Sequence, residues 1–183
     1  MNIEVFGPQH VNGLGAFAAE MGPGELAVIK EDIGDPDARA KWAADGRHRR
    51  WVALDGGEVV GFGALIPLAG WSSHVGEIRV VTRPSHRRRG LGTAMAGHLL
   101  GRAIVGGLAK VTVEVVAGDA GTLALFEGMG FRPEAQLADH IRDRNGRSRD
   151  LVLLAHDVEQ VRGAPGPPPT PPPPPPPPPH PPP

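Results

Sequence analysis

Between Val75 and Val116 the chain reads as strand, cationic glycine-containing turn, helix and second strand. The first piece, VGEIRVVT (Val75 to Thr82), is β-branched and is followed at once by Pro84. Gly90 to Gly106 carries helical spacing between two glycines, and Val111 to Val116 is short and apolar enough for a buried strand. Two strands of one sheet joined through a helix need a crossover connection, and such crossovers are right-handed. This unit therefore dictates an α/β chain with helices packed on a sheet.

The flanking segments must extend that sheet. Ile3 to Phe6 reads as a strand stopped by Gly7-Pro8, and His10 to Met21 as a helix with Val11, Leu14, Phe17 and Ala18 on one face. Residues 22–35 read as a loop or lid. Asp35 caps a helix with Pro36 in its first turn, running to about Ala44 and ended by Gly46. Two apolar runs around Asp55-Gly56-Gly57 form a hairpin signal. Thr122 to Met129 is a short helix ending at Gly130, and AQLADHIRD and RSRDLVLLAH are strand-like runs joined through Asn145-Gly146. The predicted order is β-α-α-β-β-β-α-β-α-β-β.

Composition sets the limits. Sixteen of the 22 prolines lie between Pro165 and Pro183, so the 183 residues divide into one domain over 1–160 and a proline-rich tail over 161–183. Nine consecutive prolines from Pro171 favour polyproline II, an inert or PxxP-type segment that cannot pack as a core. A net charge of −1 gives no global attraction to nucleic acid or anionic membrane. No apolar run reaches the ~18 residues needed to span a bilayer, and the N-terminus lacks a signal pattern, so a cytoplasmic protein is expected. Cysteine is absent, which removes disulfides, thiolate metal sites and a cysteine nucleophile, and no metal is expected. Tyrosine is absent as well, so no mechanism here can use a phenol.

The turn between strand and helix has the chemistry of an anion site. The first turn of a helix offers unpaired N–H groups and partial positive charge. Arg87, Arg88 and Arg89 would oppose that dipole unless an anion binds between them. A Walker loop is excluded because no GxxxxGK followed by Ser or Thr occurs. The dinucleotide fingerprint fails because Met95 takes its third small position, although Glu114 falls at a suitable distance downstream. Six residues, Pro84 to Arg89, also separate strand from glycine, where a dinucleotide loop turns at once.

Thr82-x-Pro84-x-x-Arg87-x-x-Gly90-x-Gly92 resembles the (Gln/Arg)xxGx(Gly/Ala) motif of the GNAT acetyltransferases, with that family's strand and proline before it. DAGTLALFEGMGF is similar to the family's downstream helix N-x-x-A-x-x-L-Y-x-x-x-G-F, with Asp119 for Asn, Thr122 for Ala and Phe126 for Tyr. The resemblance covers about Arg50 to Asp157 and implies a mixed, mostly antiparallel central sheet flanked by helices around a central β-α-β acetyl-CoA unit. It implies acetyl transfer from acetyl-CoA to a primary amine of a small molecule or peptide by direct attack. Val80, Val81 and Thr82 would lie along the pantetheine arm. Arg87, Arg88, Arg89, Gly90, Leu91, Gly92 and Thr93 would hold the pyrophosphate. Asp119 and Phe126 would sit beside the cofactor.

Glu77 is the candidate base, with Glu114 and His74 as alternatives. Asp139 and His140 are candidates to face the acceptor, whereas Asp143 reads as an exposed hairpin tip. Trp42, Trp51 and Trp71 read as core or lid aromatics. RHRR, Arg47 to Arg50, reads as a solvated loop that could reach a 3′-phosphate. Phe126 departs from the family's tyrosine, which often protonates the leaving thiolate, so an inactive acyl-CoA-binding module stays open. A nucleic-acid or scaffold protein using the basic runs and tail is the other alternative, opposed by the neutral charge and the absence of aromatics among those runs. Homodimerisation is left open.

Overall fold

The computed structural model describes residues 1–158 except Val28, His48, Arg144 and Asn145. The proline-rich segment and Asn145 of the expected final turn lie outside the described residues. The elements are β1 (Asn2–Val5), α1 (Val11–Ala19), α2 (Pro23–Leu26), α3 (Pro36–Ala44), β2 (Arg50–Asp55), β3 (Glu58–Pro67), β4 (Val75–Thr82), α4 (Leu91–Val105), β5 (Lys110–Val116), α5 (Ala120–Gly128), β6 (Arg132–Arg142) and β7 (Ser148–Asp157). The predicted order is reproduced, with one turn of helix, α2, added inside the segment read as a loop or lid. There Pro23 sits in the first turn and Glu25 accepts the Gly22 amide at 3.0 Å.

Seven strands form one sheet in the order β1-β2-β3-β4-β5-β7-β6. Every neighbouring pair is antiparallel except β4 and β5. Each face of the sheet carries its own core. Trp51 and Ala53 of β2 point to the face covered by α4, while Val52 between them points to the face covered by α1. On the first face Leu91, Met95, Leu99 and Ala103 of α4 pack on Ile78, Val111 and Val113. On the second, Leu14 and Phe17 of α1 meet Val52 and Phe62. Both faces of β3 are covered, which is why seven of its ten residues are buried.

Gly63 of β3 lets α4 lie close. A Cβ there would come within 2.9 Å of Leu99 Cδ1 and of Met95 Sδ. α4 thus has a fixed seat, and its N-terminus is aimed at the end of β4. No helix among the described residues is long and apolar enough to cross a membrane.

Candidate active site

The site begins where the sheet comes apart. β4 and β5 pair only over Val75–Glu77 and Lys110–Thr112, although both strands continue beyond. Leu68 N–H donates to the Val75 carbonyl and Arg83 N–H to the Val60 carbonyl, so the odd-numbered residues of β4 bond to β3. The even-numbered backbone groups therefore face β5, and past Glu77 those of Val80 and Thr82 face an open wedge. A cavity of about 390 Å³ occupies it. Ile78 and Val80 line it from one face of the sheet, Glu77 and Arg79 from the other, so it cuts through the sheet rather than lying on it. Phe126, His140 and Leu151 close its far side.

A row of alternating charges runs across the vertex of this wedge. Glu31 accepts from Arg50 Nη2 at 3.1 Å and from Arg79 Nη1 at 2.5 Å. Arg79 holds Glu77 bidentately, at 2.8 Å from Nε and 3.1 Å from Nη2. Lys30 Nζ donates to both Glu77 oxygens at 3.0 Å and to Glu114 Oε2 at 2.8 Å. Burial alone would raise the Glu77 pKa, but the hydrogen bonds and charges of Arg79 and Lys30 outweigh it and hold it below the usual carboxylate value. Glu77 is therefore a buried, ionised acid with an ammonium against it, not a solvated strand-edge carboxylate.

The second half of the site is the start of α4. Gly90 is its N-cap with φ 78°, and Arg88 also has left-handed backbone at φ 59°. No side chain caps the first turn, and a Cβ at Gly90 would meet only open space. Arg88 and Arg89 are exposed and have no ion-pair partner among the described residues. Donor N–H groups and spare positive charge therefore converge where nothing in the chain answers them, which fits a phosphate group. Arg87 differs: its Nη1 contacts Glu25 at 2.5 Å and its Nε donates to the Thr82 carbonyl at 3.3 Å, so it ties the loop to α2. Gly92 also differs, because its missing Cβ makes room for Leu125 Cδ1, which a Cβ would approach to 3.1 Å.

The sequence profile of the Acetyltransferase (GNAT) family matches residues 23–131. The chain belongs to the GNAT family. An L-methionine sulfoximine/L-methionine sulfone acetyltransferase of Pseudomonas paraeruginosa is 29% identical over 162 residues, covering 78% of this chain and 92% of that protein. The [ribosomal protein bS18]-alanine N-acetyltransferase of Escherichia coli K12 is 30% identical over 76 residues, 42% of this chain and 51% of that one. Among solved structures, an N-acetyltransferase from Staphylococcus aureus Mu50 superposes with a TM-score of 0.74 at 17% identity, covering 86% of this chain and 98% of that chain. A putative acetyltransferase from Salmonella typhimurium, solved with its cofactor acetyl-CoA, gives 0.71 at 18% identity, covering 86% and 93%. The fold is the GNAT fold, and the chain is an acetyl-CoA-dependent N-acetyltransferase.

Within this GNAT domain the expected site residues separate into groups. Glu77, Val80, Val81, Phe126 and His140 line the cavity, as does Glu114. Phe126 is 3% exposed and packs edge-on against Phe131 at 5.2 Å. Thr82, Leu91 and Thr93 flank the α4 turn rather than the cavity. Asp119 is exposed and spent as a helix cap, accepting from Thr122 N–H at 3.0 Å and Thr122 Oγ1 at 2.7 Å. Asp139 lies outside the cavity lining, at a bulge with φ 51° where its amide donates to Asp150.

Four sequence expectations are corrected. His74 is exposed at the opposite end of β4, where its carbonyl accepts from Ala109 and Lys110. Asp143 lies in the hairpin turn but is buried rather than exposed, with its Oδ1 accepting the Arg147 amide. Trp71 is 96% exposed and belongs to no core, while Trp51 is buried and Trp42 stacks on Phe62. Arg50 is not a solvated loop residue but opens β2, paired with Glu31 at the strand end away from the α4 turn.

Sequence reading missed Lys30, Glu31 and Arg79. For Arg79 the detectable signal was Glu77-x-Arg79, two charges at period two inside a mostly apolar strand; Lys30 and Glu31 had none.

Proposed function

We propose that this acetyltransferase acts on a small primary amine whose ammonium docks between Glu77 and Glu114, at the point where β4 and β5 part. The observation that carries the reading is the position of Lys30 Nζ, a primary ammonium within 3.0 Å of both carboxylates. Whatever holds that nitrogen is built to hold one from outside. The acceptors named for the Pseudomonas relative are small molecules with a primary amine, and that protein matches over nearly its full length, whereas the protein-modifying relative matches over half. These facts favour a small acceptor.

When bound, acetyl-CoA supplies an activated thioester. The chain's residues position it and manage protons. The N–H groups from Gly90 onward, with Arg88 and Arg89, hold the phosphates. The Val80 backbone faces the wedge and offers the hydrogen bonds that a neighbouring strand would otherwise take. An alkyl ammonium with a pKa near 10.4 must lose a proton before attack, which costs about 5 kcal/mol at neutral pH. Glu77 is placed to hold the cation and accept that proton directly or through a water. No phenol is available for the departing thiolate, because Phe126 takes that wall of the cavity, so solvent provides the second proton.

A thermal-shift series tests the donor half. Acetyl-CoA at 100 times its dissociation constant adds about 2.7 kcal/mol, expected to raise the melting temperature by about 5–10 °C for a domain of this size. A panel of small primary amines assayed for coenzyme A release tests the acceptor half. Absence of both responses would refute the reading.

A further inference from the structure

Lys30 is half exposed, on the segment between α2 and α3, yet its ammonium is drawn into the wedge. The chain holds two other lysines, and neither resembles it. Lys41 is exposed on α3, and Lys110 is paired with Glu134 at 2.7 Å at the start of β5. Only Lys30 presents a primary amine to the vertex of the cavity, against the carboxylate assigned to take an acceptor's proton.

We propose that Lys30 is itself an acetyl acceptor, modified in cis by the donor bound in its own wedge; this rests on the donor and acceptor sites argued above. The Lys30 nitrogen, after its ammonium proton passes to Glu77 and on to solvent, adds through its lone pair to the thioester carbonyl. A C–N bond forms as the C–S bond breaks. As the adduct collapses, the second proton on the nitrogen passes through water to the leaving thiolate, so one acetyl-CoA yields acetyl-lysine, coenzyme A and one proton. The product is a neutral amide, which cannot pair with Glu77 and Glu114 as the ammonium does. Acetylation therefore opens the same slot to an external amine, and the reaction stops at one event per chain.

Purified full-length protein incubated with isotopically labelled acetyl-CoA and no added amine provides the test, read by intact mass and by mapping of the labelled peptide. The expected result is one acetyl increment at Lys30, formed at a rate independent of protein concentration and at least ~10-fold faster than any label at Lys41, since a bound donor and a tethered nitrogen react as one molecule. In Lys30→Arg that increment is expected to vanish while acetyl-CoA still raises the melting temperature. Lys30 remaining unlabelled in protein that binds acetyl-CoA and acetylates an external amine would overturn this proposal and leave the proposed function intact. Equal labelling of Lys30 and Lys41, or a rate that grows with protein concentration, would overturn it too. Failure to bind acetyl-CoA at all would overturn both.

Discussion

Replacing Glu77 with glutamine separates what the charge row does for the fold from what it does for chemistry. The Glu77 side chain is 8% exposed and accepts four hydrogen bonds, two from Lys30 and two from Arg79. Glutamine keeps the volume but has one acceptor oxygen, and its NH2 must face a cation that also donates. Removing one partner of a buried ion pair costs about 3–5 kcal/mol. Part of that is recovered here, because Arg79 retains Glu31 at 2.5 Å and the half-exposed Lys30 retains Glu114 and water. About 2–3 kcal/mol remains, or roughly 5–10 °C in melting temperature. The Glu77 pKa is depressed in the folded state, the hydrogen bonds from Arg79 and Lys30 overriding the effect of burial. The wild-type advantage is therefore present above the ordinary carboxylate pKa of about 4.3 and is lost as pH falls through the lower folded value. Calorimetric melts of both proteins at neutral and acidic pH measure this, and turnover of the folded variant should fall by about 10²–10⁴ if Glu77 takes the proton. A variant melting within about a degree of wild type at neutral pH would refute the energetic argument. Unchanged turnover would remove Glu77 as the base.

The turn and the cavity wall carry four more expected outcomes. Gly90→Val should weaken acetyl-CoA binding at least tenfold by calorimetry at a stability cost of about 1–2 kcal/mol, since φ 78° is strained for an L-residue but the space around it is open; Gly92→Ala should act instead on the melting temperature, through Leu125. The pH–rate profile should rise with the amine's own ionisation and show no fall attributable to a phenol, because Glu77 is already ionised throughout and the chain has no tyrosine; Phe126→Tyr should introduce such a fall if its hydroxyl reaches the leaving sulfur.

The backbone plan was legible because its punctuation is strong. Asp35-Pro36, Gly56-Gly57, the Gly90 turn and Gly130 each require a local conformation that the structure adopts, with left-handed backbone at Gly56, Gly57, Gly90 and Gly130 and an Asp35 side chain accepting the Asp37 amide. The α4 turn and Phe126 could be placed because motif spacing fixed their register. Functions assigned to single side chains were less legible, since a residue's partners depend on strands and loops far away in sequence. Asp119, expected beside the cofactor, also caps α5, a role its motif position did not announce. Arg87, expected at the pyrophosphate, also pairs with Glu25, 62 residues earlier. Lys30 lies 47 residues from Glu77 and 84 from Glu114, in a segment with no periodicity to read. Only the sheet brings those three together.

The brevity of the β4–β5 ladder has a mechanical consequence. Three facing residue pairs are all that stitch β1–β4 to β5–β7 along the sheet, so the molecule has a seam. On one side lies a four-stranded half carrying the N-terminal helices, on the other a three-stranded half closed by a long hairpin. A molecule wedged into the seam would act as mortar between two half-sheets joined otherwise by the core under α4 and a handful of ion pairs. Occupation of the seam is therefore expected to stiffen the molecule, which slower amide exchange in β4 and β5 on addition of acetyl-CoA would register.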